Sequence, residues 1–300
     1  MSDPSNAGAA AGAAVRAPAK VNLYLHVTGR RDDGYHRLDS LIAFAGVADT
    51  IEVRPADRLT LTVDGPFAAG VPAGADNLVV KAATALAEAA RVPMGASTGA
   101  RIRLCKRLPV AAGIGGGSAD AAAVLTALSD LWQITLAKQD LADLALALGA
   151  DVPVCLAARP AFVGGIGEDI AAAPPLPPCW LILANPGIAL PTPAVFRHRD
   201  GPFTAEARFD APPSDPQDLA RLLARRRNDL TDAAIALEPA VGTVLAELDR
   251  LPDTLLARMS GSGATCFALF ATREPAETGA QILREEHPGW WVEAAALLGK

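Results

Sequence analysis

The 300-residue sequence predicts an α+β protein in two parts, a two-layer α/β first part and an α+β second part. Three observations point there. Short stretches of alternating apolar and polar residues crowd the N-terminal quarter, the pattern of half-buried strands. A glycine-rich connection, Pro109–Ala119, joins a strand-like run to an alanine-rich helix. Residues 171–178 then hold four prolines in eight positions, and new strands and helices follow them.

Taken in order, the first fifteen residues are mostly Ala and Gly without a basic start or a leucine-rich core. They read as a disordered tail, residues 1–14, and not as a signal peptide. Val21, Leu23, Leu25 and Val27 alternate with Asn22, Tyr24, His26 and Thr28, a strand with Lys20, Asn22, Tyr24 and His26 on one face. Residues 29–34 form a turn. Strands are expected at 38–44, 50–54 and 59–63, together an antiparallel sheet. Asp76 or Asn77 caps a helix over 78–90. A strand at 101–105 leads through the glycine loop into a helix over 119–132, and another helix, 138–148, stops at Gly149. The prolines divide residues 15–171 from residues 172–300. Beyond them come a strand at 180–184, helices at 217–224 and 230–249, a strand–turn–strand through 259–270, and a last helix before Trp290-Trp291.

Composition narrows the function. A net charge of −6 argues against a duplex-binding face, which needs a clustered excess of Lys and Arg. Arg225, Arg226 and Arg227 are the one basic run, read as a solvated helix face. Cys105, Cys155, Cys179 and Cys266 stand singly, without a C-x-x-C pair or zinc spacing, as in a reducing compartment. No run of eighteen apolar residues predicts a membrane span. The expectation is a cytoplasmic protein without nucleic-acid or membrane partners, a monomer or weak homodimer.

The glycine loop carries the chemistry. A helix N-terminus leaves N–H groups unpaired and bears partial positive charge, so it favours anions. Gly113, Gly115, Gly116 and Gly117 allow close backbone approach to a phosphate, and the Ser118 hydroxyl can touch the phosphate or its magnesium ion. No other residue is nominated toward a metal. The loop lacks the G-x-x-x-x-G-K-[ST] pattern, and Ser118 stands where a dinucleotide fingerprint needs its third glycine. A tight turn without ligand is the plain alternative. A second loop, Ser260-Gly261-Ser262-Gly263, reads alone as an ordinary hairpin turn.

Read together, three blocks resemble the motifs of the GHMP kinase superfamily, in its order: Ala17-Pro-Ala-Lys20-Val-Asn22-Leu, Pro109-Val-Ala-Ala-Gly-Ile-Gly-Gly-Gly-Ser-Ala-Asp120, and Met259-Ser-Gly-Ser-Gly-Ala-Thr-Cys-Phe267. Residues 28–36, Asp76-Asn-Leu78, Leu148-Gly-Ala-Asp-Val-Pro153 and Pro191-Thr-Pro-Ala-Val-Phe196 are similar to the branch that phosphorylates 4-(cytidine 5'-diphospho)-2-C-methyl-D-erythritol, in the non-mevalonate isoprenoid pathway. The resemblance implies a GHMP kinase fold, with an N-terminal catalytic domain, a C-terminal domain and the active site between them. It also implies transfer of the ATP γ-phosphate, with Mg2+, to the C2 hydroxyl of the cytidylyl sugar alcohol. The loop departs from the usual pattern at Ile114 and at Ala119, where a second serine is common; Ala119 is expected to cost a hydroxyl contact to phosphate.

The resemblance also assigns roles. Asp151 orients or accepts the acceptor hydroxyl proton, and Lys20 beside it favours the carboxylate and the transferring charge. Pro109, Val110, Ala111, Ala112, Gly113, Ile114, Gly115, Gly116, Gly117, Ser118 and Ala119 hold the ATP phosphates, with Asn77 and Lys106 nominated for its adenosine. Asn22, Tyr35, His36, Thr192, Phe196, Gly261 and Gly263 bind the acceptor; Tyr35 and Phe196 stack on cytosine and His36 hydrogen-bonds its edge. From the residues alone, Asp151 reads first as a turn cap before Pro153, and Lys20 as a surface lysine. A catalytically silent nucleotide-binding protein is the reading from another class.

Overall fold

The computed structural model describes residues 14–72, 74–92 and 99–299, so the expected tail lies outside it except for Ala14. The chain runs β1 (Ala14–Arg30), β2 (His36–Ala56), β3 (Thr60–Asp64), α1 (Leu78–Ala89), β4 (Gly99–Cys105), α2 (Gly116–Trp132), α3 (Lys138–Leu148), α4 (Val152–Ala157), β5 (Ala161–Gly165) and β6 (Asp169–Ala172). It continues β7 (Trp180–Asn185), α5 (Thr192–His198), α6 (Pro216–Ala224), α7 (Thr231–Leu237), α8 (Ala240–Asp249), β8 (Leu256–Met259), β9 (Cys266–Phe270), α9 (Arg273–Glu286) and β10 (Trp291–Leu298).

Two expected strands, 38–44 and 50–54, prove to be one. β2 pairs antiparallel with β1 from His36 to Glu52, and between Pro18↔Ala48 and Lys20↔Phe44 a register shift absorbs Ala45, Gly46 and Val47. The chain bends there without reversing, as a bulge does. β3 is also corrected: it pairs parallel, not antiparallel, with β4. Parallel neighbours need a crossover, and α1 supplies it. The helix expected over 230–249 is two, because Pro239 has no N–H to continue α7 and instead opens α8.

β10 went unforeseen, along with α4, β5 and β6. Its Ala294-Ala295-Ala296 favours a helix by propensity, yet Trp291–Ala296 pairs with β7 and Leu297–Leu298 with β2. It thereby joins the two halves of the sheet, in the order β3-β4-β2-β10-β7-β9-β8. Tertiary pairing outweighs a propensity of a few tenths of a kcal/mol per residue.

α2 lies against the sheet through Ala121, Ala122, Val124, Leu125 and Leu128, and its small residues allow close approach. Phe44, Ile51, Ile102 and Leu104 face it from β2 and β4, all fully buried. Each such side chain contributes about 1.5–3 kcal/mol. This packing fixes the α2 N-terminus beside β1. In the second half, Arg258 is buried without a carboxylate partner among the described residues. Its guanidinium donates to the carbonyls of Leu23 (2.7 Å), Leu223 (2.9 Å) and Arg226 (2.7 Å), tying β1 to the C-terminus of α6. Burial lowers its pKa to about 10, which still leaves it a cation at neutral pH.

Candidate active site

Three segments meet at one cleft of about 390 Å³. The glycine loop and the first turn of α2 form one wall, through Ala111, Ala112, Gly113, Gly115, Gly116, Gly117 and Ser118. β1 and β2 supply the floor with Lys20, Asn22 and Ser40, and the 260–263 hairpin with α5 closes the far side. These segments are bonded to one another. The Lys20 N–H donates to the Ile114 carbonyl (2.9 Å) and the Thr265 N–H to that of Ala112 (3.2 Å). Ser260 Oγ accepts from the Asn22 N–H (3.1 Å) and donates to the Gly113 carbonyl (3.1 Å). A loop fixed at so many points is a preorganised one.

The α2 N-terminus has no side-chain cap, and Gly115 precedes it with φ 61°, a left-handed conformation that favours glycine. Opposite it, Lys20 Nζ lies 3.0 Å from Asp151 Oδ2. The lysine side chain is 6% exposed and the aspartate 39%, so the carboxylate opens to the cleft while the ammonium is held behind it. Asp151 precedes α4 without making a cap bond, which leaves its carboxylate to Lys20. Asn22 Nδ2 donates to Ser40 Oγ (2.8 Å). Its buried Oδ1 has no partner among the described residues, an acceptor at the floor of the cleft.

A second cavity, about 560 Å³, adjoins the first and shares Leu38, Ile166, Thr192 and Phe196 with it. His36 stacks on Phe196 with centroids 5.2 Å apart and planes at 25°. Tyr35 is 63% exposed at the rim, where Arg30, Arg197 and Arg199 also stand. Partial burial, with Arg30 and Arg199 nearby, lowers the His36 pKa, so the ring is neutral at pH 7 and keeps an acceptor nitrogen. Thr192 Oγ1 lies 2.7 Å from Ser262 Oγ, joining α5 to the hairpin.

Family profiles match at two places: GHMP kinases N terminal domain over residues 77–159 and GHMP kinases C terminal over residues 208–289. A 4-diphosphocytidyl-2-C-methyl-D-erythritol kinase of Paramagnetospirillum magneticum is 56% identical over 284 residues, covering 95% of this chain and 98% of its own. One from Rhodospirillum rubrum is 53% identical, covering 94% and 91%. A crystal structure of 4-(cytidine 5'-diphospho)-2C-methyl-D-erythritol kinase superposes with a TM-score of 0.79 at 36% identity, covering 96% of this chain and all of that one. The chain belongs to the 4-diphosphocytidyl-2-C-methyl-D-erythritol kinase family. A homoserine kinase from Cytophaga hutchinsonii, 19% identical with a TM-score of 0.70, shares the fold.

In this GHMP kinase the nominated residues divide. Lys20, Asn22, Asp151, Thr192, Phe196, Gly261 and most of the glycine loop line the first cleft; Tyr35 and His36 line the second. Others stand elsewhere. Ile114 and Ala119 are buried, 1% and 2% exposed, with side chains packed into the core. Residue 119 therefore faces away from the cleft, which corrects the expectation of a lost hydroxyl contact there. Val110 points to solvent, and Pro109 lines a separate cavity of about 1100 Å³ where β2 and β10 diverge. Gly263, the last residue of the hairpin, does not line the cleft; its N–H donates to the Ser260 carbonyl (2.9 Å).

Asn77 and Lys106 are corrected too. Asn77 accepts from the Val79 N–H (2.8 Å) and donates to the Pro72 carbonyl (2.6 Å), so capping α1 occupies its amide. Lys106 is 3% exposed and paired with Asp49 and Asp120. Tyr24 and His26 leave the floor as well, since a register shift between Asn22 and Tyr24 turns Leu25 into the cleft in their place. Tyr24 donates to buried Asp39 (2.9 Å), and burial beside that carboxylate raises its pKa. His26 Nε2 accepts from the Arg227 N–H (3.3 Å), which leaves Nδ1 to donate to the Ala205 carbonyl (2.9 Å). Composition hid Arg30, Arg197 and Arg199; the one signal was that they flank Tyr35-His36 and Phe196.

Proposed function

We propose that this chain transfers the γ-phosphoryl group of ATP to the C2 hydroxyl of 4-(cytidine 5'-diphospho)-2-C-methyl-D-erythritol, giving the 2-phosphate and ADP. The observation that carries the reading is the Lys20–Asp151 pair, 3.0 Å apart, facing the uncapped N-terminus of α2. The family's relatives at 56% and 53% identity bear that enzyme's name.

ATP supplies the electrophilic phosphorus and the ADP leaving group. Backbone N–H groups of residues 115–118 receive the phosphates, with the helix dipole favouring their charge. The Ser118 hydroxyl fits a contact to Mg2+ on those phosphates, since it lines the same wall. Asp151 accepts the C2 hydroxyl proton as that oxygen bonds to phosphorus and the bond to ADP breaks. Lys20 keeps Asp151 ionised and offsets charge on the reacting oxygens. Asn22 Oδ1 accepts from a neighbouring hydroxyl of the acceptor. At the other end, cytosine enters the aromatic cavity of Tyr35, His36 and Phe196, while Arg30, Arg197 and Arg199 suit the acceptor's diphosphate. The apolar and cationic residues of this cavity suit the cytosine and the diphosphate that follows it. Action in the cytoplasm, where ATP is abundant, belongs to the same proposal.

Asp151→Asn tests it. Turnover should fall about 10²–10⁴-fold, the usual worth of a positioned general base, while ATP binding by calorimetry stays near wild type. Unchanged turnover would remove Asp151 from the mechanism.

A further inference from the structure

Beneath the phosphate wall lies a buried charge cluster that the reaction does not use directly. Lys106 follows β4, and its ammonium donates to Asp49 Oδ2 on β2 (2.6 Å) and to Asp120 Oδ2 on α2 (2.5 Å). All three side chains are at most 4% exposed. The other Asp49 oxygen, Oδ1, accepts from the N–H groups of Arg107 (2.5 Å) and Leu108 (2.9 Å), the two residues that begin the loop. α2 starts directly above this ammonium; a side-chain carbon on Gly116 would stand 3.2 Å from Nζ.

The geometry points to Lys106, with Asp49 and Asp120, as the positioning clasp of the phosphate loop. Residues 107–119 leave β4 and return as α2, and the Lys106–Asp120 bond closes the base of that excursion. Asp49 holds the same base to β2. The tip is fixed separately, by the hydrogen bonds of Ala112, Gly113 and Ile114 to the hairpin and to β1. Two acids share the one ammonium, so the lysine charge is spent within the cluster and is not offered to ATP. Its effect passes through geometry: the clasp decides where the N–H groups of residues 115–118 stand. Cys155 on α4 also borders Asp120, and α1 faces α2 with apolar Val79, Ala82, Ala83 and Leu86. Among the described residues, the faces these helices turn to the cluster therefore offer no cation to replace Lys106.

This inference rests on the ATP-dependent reading above. The test compares wild type with Asp120→Ala, which cuts the bond to α2 but leaves a neutral Lys106–Asp49 pair. Asp120→Ser is the second truncation should the alanine variant not fold, and Asp120→Asn restores an acceptor of the same length. Thermal melts establish that each is folded, calorimetry reads ATP binding directly, and steady-state kinetics separates the two substrates. A misplacement on the order of 1 Å costs up to about 100-fold in such sites. The expected result is an ATP KM and Kd raised on the order of tenfold in the truncations. The acceptor KM should stay within about twofold, and Asp120→Asn should lie near wild type. Folded truncations that bind ATP as wild type does would overturn the clasp, as would an equal rise in both KM values. Wild type that binds no ATP would instead overturn the reading it rests on.

Discussion

Gly115→Ala probes the coupling between the phosphate loop and the reacting pair. Residue 115 holds φ 61°, and a Cβ there would lie 3.1 Å from Lys20 Cβ and Cε and 3.3 Å from Cδ. The left-handed conformation costs alanine about 1 kcal/mol. The contacts are tighter than ordinary van der Waals distance, so one side must yield by a few tenths of an ångström. β1 cannot retreat, because the Lys20 N–H is bonded to the Ile114 carbonyl at 2.9 Å. Lys20 Cβ stays with the strand, so the loop gives by a few tenths of an ångström there while Cδ and Cε swing away, opening the 3.0 Å bond to Asp151. The strain predicts a fall in Tm of about 1.5 °C for a chain of 300 residues. The displaced ammonium predicts a loss of turnover on the order of tenfold or more, since positioning errors below 1 Å already matter. Differential scanning calorimetry and an ADP-release assay read the two effects separately. A fall in Tm with turnover within twofold of wild type would refute the claim that the exact seat of Lys20 matters.

Other outcomes follow from single features. Phe196→Ala removes the ring on which His36 stacks and should raise the acceptor KM about three- to tenfold, with the ATP KM unchanged, in initial-rate kinetics. The same KM gives a pH dependence. Burial, Arg30 and Arg199 hold the folded His36 pKa below the ordinary histidine value of about 6.5, so protonation enters only on the acid side of that value. The acceptor KM should be flat from about pH 7 to 8.5 and rise only on the acid side of the ordinary histidine range; a rise centred above about pH 7 would contradict the neutral ring. Arg258→Met strips three buried carbonyls of their donor and should cost about 3–5 kcal/mol in urea unfolding, with little direct effect on substrate KM.

What the sequence disclosed and what it withheld have physical reasons. Lys20 and Asp151 stand 131 positions apart and were paired only through a motif resemblance, since neither spacing nor charge brings them together. The glycine run announced its own geometry, because a helix start after a left-handed residue needs glycine locally. Alternation along β1 marks the strand but not one continuous polar face, for a bulge after Asn22 reverses which side faces the cleft. The resemblance assigns Lys106 to the adenosine of ATP, yet the structure buries it in an ion cluster. Its two acid partners lie 57 and 14 residues away, on elements whose meeting is decided by the sheet. β10 was hidden because its alanines carry no strand signal, and its place comes from the gap between β2 and β7 that it fills.

The most direct measurement is acceptor choice. Purified protein is mixed with ATP, Mg2+ and 4-(cytidine 5'-diphospho)-2-C-methyl-D-erythritol, ADP release is followed, and the product is examined by phosphorus NMR. The account predicts one ADP per acceptor and a new phosphate monoester beside the intact cytidine diphosphate. Silence with this acceptor together with turnover of homoserine or mevalonate would contradict it.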